Sequence, residues 1–145
     1  MMPFARLLFA LALLAGLALP RGAIAGDLAD TDSAAIRSLI QNQIDAFRAD
    51  DGVSAWSFAA PGIQTIFPSP GIFMQMVRDQ YQPVYRPQSV TFGAVADGPS
   101  GPMAKVYLVG PDGKNYVAVY TLERQPDGSW KISGCYIVPD EAKSV

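Results

Sequence analysis

The 145-residue chain carries 11 basic and 13 acidic side chains and contains no histidine. A mildly acidic chain with scattered charges has no basic stripe for a phosphate backbone, which argues against a nucleic-acid partner. The lack of histidine excludes Ser-His-Asp and Cys-His catalysis and removes the commonest metal ligand, so neither a metal nor another cofactor is expected.

Residues 1–25 read as a secretory signal. MMPFAR supplies a basic start, Leu7 to Leu19 is a short apolar run, and Pro20 precedes the small-x-small site Ala23-Ile24-Ala25. The run is shorter than the roughly 20 residues a spanning helix needs. Cleavage after Ala25 is therefore expected, with a periplasmic or secreted product and no membrane span; retention as an anchor is the alternative. Removing Arg6 and Arg21 leaves nine basic and thirteen acidic side chains, a formal charge of −4. A single cysteine forms no internal bridge, so an exported domain of this kind depends on its packed core.

Residues 26–32 form a polar lead-in. A single α+β domain is expected over 33–140, followed by a tail at 141–145. The first helix runs from Ser33 to Ala49, capped by Thr31 or Asp32. Ile36, Leu39, Ile40, Ile44 and Phe47 define its apolar face, with Gln43 at the centre of the stripe. Asp51 caps a second helix, VSAWSFAA, that stops at Pro61-Gly62. IQTIF (63–67) is a strand or a single turn. Ser69-Pro70 starts a third helix reaching Gln80.

From Pro83 onward the pattern is β, with strands expected at 84–95, 103–109, 115–124 and 129–138. Two Pro-Asp-Gly turns, GPDGK (110–114) and QPDGS (125–129), each predict a three-residue hairpin loop. The loop 96–102 fixes no single turn type. Counting outward from the two turns pairs Ala104 with Tyr120, Leu108 with Tyr116, Glu123 with Lys131, Tyr120 with Gly134 and Val119 with Cys135. Opposed residues share a face. The core face then holds Tyr116, Tyr120, Leu122, Trp130, Ile132 and Tyr136. The outer face holds Tyr107, Val117, Val119, Cys135 and Ile137.

IDAFRADD (44–51), FAAPGIQTIF (58–67), FMQMVRDQYQPVYRPQSVTFG (73–93) and YTLERQPDGSWKISGCYIVPD (120–140) together resemble a bacterial family known as domain of unknown function 4864. The arrangement of three helices on a long antiparallel meander is similar to the nuclear transport factor 2-like superfamily. That resemblance implies a strongly curved sheet wrapped into a cone. Members of the superfamily use this cone for ligands, for catalysis or for dimerisation, and the fold does not choose among these.

Gln43, Trp56, Tyr116, Tyr120, Trp130 and Tyr136 are the candidate pocket residues. Buried hydroxyls and amides need partners, supplied either by a ligand or by one another in a filled core. Arg86, between Tyr85 and Pro87, is the candidate anion contact. Tyr107, Val117, Val119, Cys135 and Ile137 make an apolar patch on the outer face, where a homodimer seam is expected. Cys135 reads as a small residue at that seam, then as an intermolecular disulfide, and last as a catalytic thiol. The expected function is a non-catalytic module that binds a small apolar ligand or a partner protein. The alternative is an isomerase, hydratase or cyclase using an acid in the cone, which requires Asp45, Asp50 or Asp79 to point into a deep cavity.

Overall fold

A computed structural model of the chain describes residues 28–141. The expected signal peptide and nearly all of the C-terminal tail lie outside the described residues. Five helices precede a four-stranded antiparallel sheet: α1 (Asp30–Arg48), α2 (Gly52–Ser57), α3 (Pro61–Ile66), α4 (Pro70–Gln80), α5 (Gln82–Tyr85), β1 (Ser89–Gly98), β2 (Gly101–Val109), β3 (Asn115–Arg124) and β4 (Trp130–Pro139). The strand order is β1-β2-β3-β4, a simple meander, and the sheet is not closed.

The expectation of three helices is corrected to five, and the additions are short for clear reasons. Proline at the first turn of α3 and α5 presets the helical φ where no backbone donor is needed. Pro83 and Pro87 also remove two ladder donors, so the residues expected to begin the first strand at 84 form α5 instead and β1 starts at Ser89. Helix α1 begins at Asp30, inside the expected lead-in, and its N-cap is Ala29 with no side-chain bond. Asp32 is not a cap: its Oδ1 accepts from Arg124 Nη2 at 2.6 Å and from Trp130 Nε1 at 3.4 Å. The caps at Asp51 and Ser69 are as expected, accepting from the backbone N–H groups of Ser54 at 3.1 Å and Ile72 at 3.2 Å.

Both Pro-Asp-Gly loops fold alike. Gly113 and Gly128 sit at φ +77° and +87°, and the carboxylates of Asp112 and Asp127 accept from the N–H groups of Lys114 and Ser129. The β2–β3 register matches the expectation throughout, with Ala104 facing Tyr120 and Leu108 facing Tyr116. The β3–β4 register matches only as far as Leu122–Ile132. Beyond it Thr121 faces Gly134, Tyr120 faces Cys135 and Val119 faces Tyr136.

The extra residue is Ser133, a bulge that lets two residues of β4 oppose one of β3. Because side chains alternate, one extra residue inverts every position after it. Cys135 and Ile137 therefore pack against the core, while Tyr136 stands on the outer face, 53% exposed. Gly134 is required at the bulge: a Cβ there would meet Thr121 Oγ1 at 2.7 Å, and that hydroxyl already takes a 3.1 Å bond from Ser133 Oγ. A similar shift separates Phe92 from Val95 in β1.

The core lies between the helices and the inner face of the sheet. Ile36, Ile40, Ile44 and Phe47 of α1 meet Phe73 and Val77 of α4 and Ala104, Val106, Ala118, Tyr120 and Leu122 of the sheet. Residues 58–60 join the edge of β4, with Ala60 N–H donating to Ile132 O at 2.7 Å and Ile132 N–H to Phe58 O at 2.9 Å.

Candidate functional site

The inner face of β3 and β4 does not close fully against the helices. A partly open cavity of about 190 Å3 remains, bordered by Gln43 and Phe47 of α1, Ile63 of α3, Phe73, Met76 and Val77 of α4, Val84 of α5, Tyr120 of β3, and Ile132, Gly134 and Cys135 of β4, with Ala59, Phe67 and Tyr81 from the connections. Gln43 and Phe47 lie four residues apart on one helical face and so both reach it. No charged side chain is among these residues.

The polar groups at the cavity are few. Gln43 is buried, and its Nε2 donates to Ala55 O at 3.1 Å, which ties α1 to α2. Tyr81 donates its hydroxyl to Cys135 O at 3.1 Å. The Tyr120 hydroxyl is fully enclosed, on a residue 1% exposed, and makes no hydrogen bond of ordinary geometry. The Cys135 thiol beside it is a weak hydrogen-bond partner.

Burial, and secondarily Cys135, pushes the Tyr120 phenol well above its ordinary value. Burial likewise pushes the Cys135 thiol up to about 12, with the Tyr120 hydroxyl pulling the other way. Cys135 keeps some accessible surface because it borders the cavity. Both groups are protonated at neutral pH, so neither is a nucleophile or a general base there.

This gives a direct expectation. Alkylation of Cys135 in the folded protein should be very slow at pH 8, where about one thiol in ten thousand is ionised for a pKa near 12. It should rise roughly tenfold per pH unit up to unfolding. A plateau near pH 9 would overturn the assignment. The same shift makes the fold less stable as pH climbs from about 8.5, the ordinary thiol value, toward 12, because the unfolded chain releases that proton first.

Of the expected pocket residues, the structure brings Gln43 and Tyr120 to the cavity and leaves four elsewhere. Trp56 donates its indole N–H to Phe67 O at 2.8 Å and braces the α2–α4 connection. Tyr116 donates its hydroxyl to Asp112 in the first hairpin loop. Trp130 lies under the Arg124 guanidinium, 4.5 Å from the ring centroid, outside the cavity. Tyr136 is on the opposite face because of the bulge. Of the expected seam residues, Tyr107, Val117 and Val119 are on the outer face, while Cys135 and Ile137 are inside.

Arg86 is engaged within the chain. Its Nη2 bonds Asp50 Oδ2 at 2.8 Å, its Nη1 donates to Phe47 O at the end of α1, and the guanidinium stacks 4.0 Å over the Tyr85 ring. It is a strut from α5 to the α1–α2 corner. The Tyr85 hydroxyl donates to Asp50, and together with Arg86 and Arg78 it holds the Asp50 carboxyl below its usual range. Asp50 adopts φ +51°, so this network also fixes a left-handed corner, a conformation that aspartate adopts more readily than most non-glycine residues.

None of the three carboxylates required by the enzymatic alternative reaches the cavity. Asp45 pairs with Gln41 and Arg48, Asp50 with the arginines, and Asp79 with Gln75, all at the surface. Among the described residues there is no cluster of three potential metal ligands and no helix long and apolar enough to cross a membrane.

Sequence signals existed for much of what was missed. In β4 the apolar spacing is Trp130, Ile132, then Cys135 and Ile137, and the break falls on Ser133-Gly134, where a glycine inside a strand marks a bulge. Nothing local predicted Phe73 or Ile63 as cavity walls, since both are ordinary apolar positions of short helices.

The fold and the cavity define an α+β domain with an apolar recess beneath an antiparallel meander. The chain belongs to the family described as Domain of unknown function (DUF4864), which matches over residues 29–145. No curated protein matches the chain.

Proposed function

We propose that this is an exported, non-catalytic module that holds a small ligand between its helices and its sheet. The carrying observation is the cavity itself, about 190 Å3, walled mainly by apolar side chains and free of charged ones. A recess of that size and polarity accommodates a molecule about as large as benzene. In this reading the signal is cleaved after Ala25, the product is periplasmic or secreted, and the sheet is the wall of a nuclear transport factor 2-like cone. Native mass spectrometry of the protein purified from the exporting cell tests it. A reproducible extra mass that leaves on denaturation is expected; a bare protein that also takes up no added small molecule refutes it.

The outer face supports a second element, a homodimer seam. With the β4 phase corrected, the apolar strip there is Tyr107, Val117, Val119, Tyr136 and Val138, with Tyr136 and Val138 the most open to solvent. Tyr136→Glu is expected to convert a dimer to monomers in size-exclusion chromatography while leaving a folded monomer that unfolds cooperatively, at a midpoint that no longer depends on protein concentration. The dimer should be indifferent to reductant, because Cys135 faces inward. A dimer that survives the charge, or one that dissolves in reductant, refutes this seam.

A further inference from the structure

We propose that the ligand of the cavity is a neutral alcohol or phenol of roughly seven to ten non-hydrogen atoms, whose hydroxyl donates to the side-chain oxygen of Gln43. This rests on the ligand-binding reading above and adds the chemical class and the atom that recognises it. Size comes first. Apolar cavities of about 150 Å3 accommodate a benzene-sized molecule. This one is about 190 Å3 and partly open, so a ring with a short substituent fits.

Gln43 supplies the polarity. It stands in the middle of the apolar stripe of α1, 4% exposed and one turn before Phe47, and both residues border the cavity. Its amide nitrogen donates to Ala55 O at 3.1 Å, and that bond fixes which end of the amide faces α2. Among the described residues no group donates to its oxygen, yet that oxygen is not sealed in the packing as the Tyr120 hydroxyl is. The little surface that Gln43 keeps therefore opens on the cavity. A molecule that fills the recess displaces water from this oxygen and loses affinity unless it donates a bond in return.

Charge narrows the choice of donor. The walls carry no ionic side chain, so an ammonium would give up its hydration with no counter-charge to replace it. A hydroxyl carries a single donor and matches the single carbonyl oxygen of Gln43. An amine or a primary amide would bury a further N–H against apolar walls.

Three probes of equal size separate the possibilities: p-cresol, p-xylene (a methyl group in place of the hydroxyl) and benzylammonium. Each is titrated calorimetrically into the protein near neutral pH. p-Cresol should bind roughly three- to tenfold more tightly than p-xylene, the worth of one neutral hydrogen bond. Benzylammonium should be the weakest of the three. In Gln43→Met, which keeps the length of the side chain and removes the acceptor, the advantage of p-cresol should vanish or reverse. Binding of p-xylene should stay within about threefold.

Should that variant fail to fold, nuclear Overhauser contacts in the unaltered protein decide. p-Cresol bound as assigned brings the ring protons beside its hydroxyl close to the Gln43 side-chain amide, and contacts from its methyl end alone overturn the assignment. Equal or tighter binding of p-xylene, or a preference for p-cresol that survives Gln43→Met, overturns the hydroxyl assignment and leaves the ligand site standing. Tighter binding of benzylammonium overturns neutrality. Binding of none of the three, in a protein that also carries no extra mass, removes the ligand-binding reading and this inference with it.

Discussion

Inserting one alanine between Gly134 and Cys135 is expected to abolish the native fold, whereas Ser133→Ala should leave it intact with a loss of about 1 kcal/mol for the bond to Thr121. The bulge sets the phase of the last six residues of β4. One further residue after it would place Cys135 opposite Val119 and Tyr136 opposite Ala118, and the pleat would drive Cys135 and Ile137 outward and Tyr136 and Val138 inward. Exposing two core-facing residues and over-filling the space beneath the sheet combine to a loss on the order of 5 kcal/mol or more. That is comparable to the whole stability of a domain this size. Deleting Ser133 is the opposite case: it removes the extra residue itself and keeps Gly134 opposite Thr121 and Cys135 opposite Tyr120, so the native phase survives. Circular dichroism and limited proteolysis would read the outcome. An insertion variant that melts cooperatively at the original midpoint would show that β4 does not depend on this phase.

Phe47→Ala should cost about 3–5 kcal/mol, the usual range for truncating a buried aromatic residue. Phe47 is 2% exposed and stacks at tilted geometry against Phe73 and Tyr85, with centroids 6.1 and 6.5 Å away. It thus joins α1 to both α4 and α5. The void left behind would merge with the existing cavity. The cost then depends on how far the surrounding helices relax into the void. In urea, the midpoint should fall sharply with little change in slope. A shift worth less than 1 kcal/mol would mean that the helices repack freely and that the cavity has no fixed shape.

Much of the architecture was readable because it rests on local rules. The Asp51 and Ser69 caps, the α1 stripe and the paired Pro-Asp-Gly loops each involve residues within four positions of one another. The β2–β3 register followed from a turn with no bulge after it. What escaped was non-local or too short to be periodic. Helices α3 and α5 span six and four residues, less than two turns, so no apolar stripe could announce them. The partner of Arg86 is 36 positions away at Asp50, and proximity in the sequence to Tyr85 and Pro87 gave no hint of it. The site was half legible. Gln43 stood out as a polar residue in an apolar stripe and Tyr120 as a core-face tyrosine, but the place of Cys135 beside Tyr120 depended on the bulge. Before that shift the two residues belong to opposite faces; after it they are cross-strand neighbours.

An open sheet has two edges, and the β4 edge here is poorly suited to receive a foreign strand. The backbone of Ile132 is taken by residues 58–60, the carbonyl of Cys135 by the Tyr81 hydroxyl, and Pro139 has no N–H to offer. At the far edge, β1 is interrupted by its own bulge, with Arg37 reaching the Gly93 carbonyl at 3.5 Å. Fibrillar growth requires each added chain to present a fresh, continuous ladder to the next. A molecule whose one edge is plugged and whose other edge is broken in the middle ends such a chain instead of extending it. For a chain with a single cysteine, and so no internal disulfide, this protection against edge-to-edge growth is written into the backbone at the margins of the sheet.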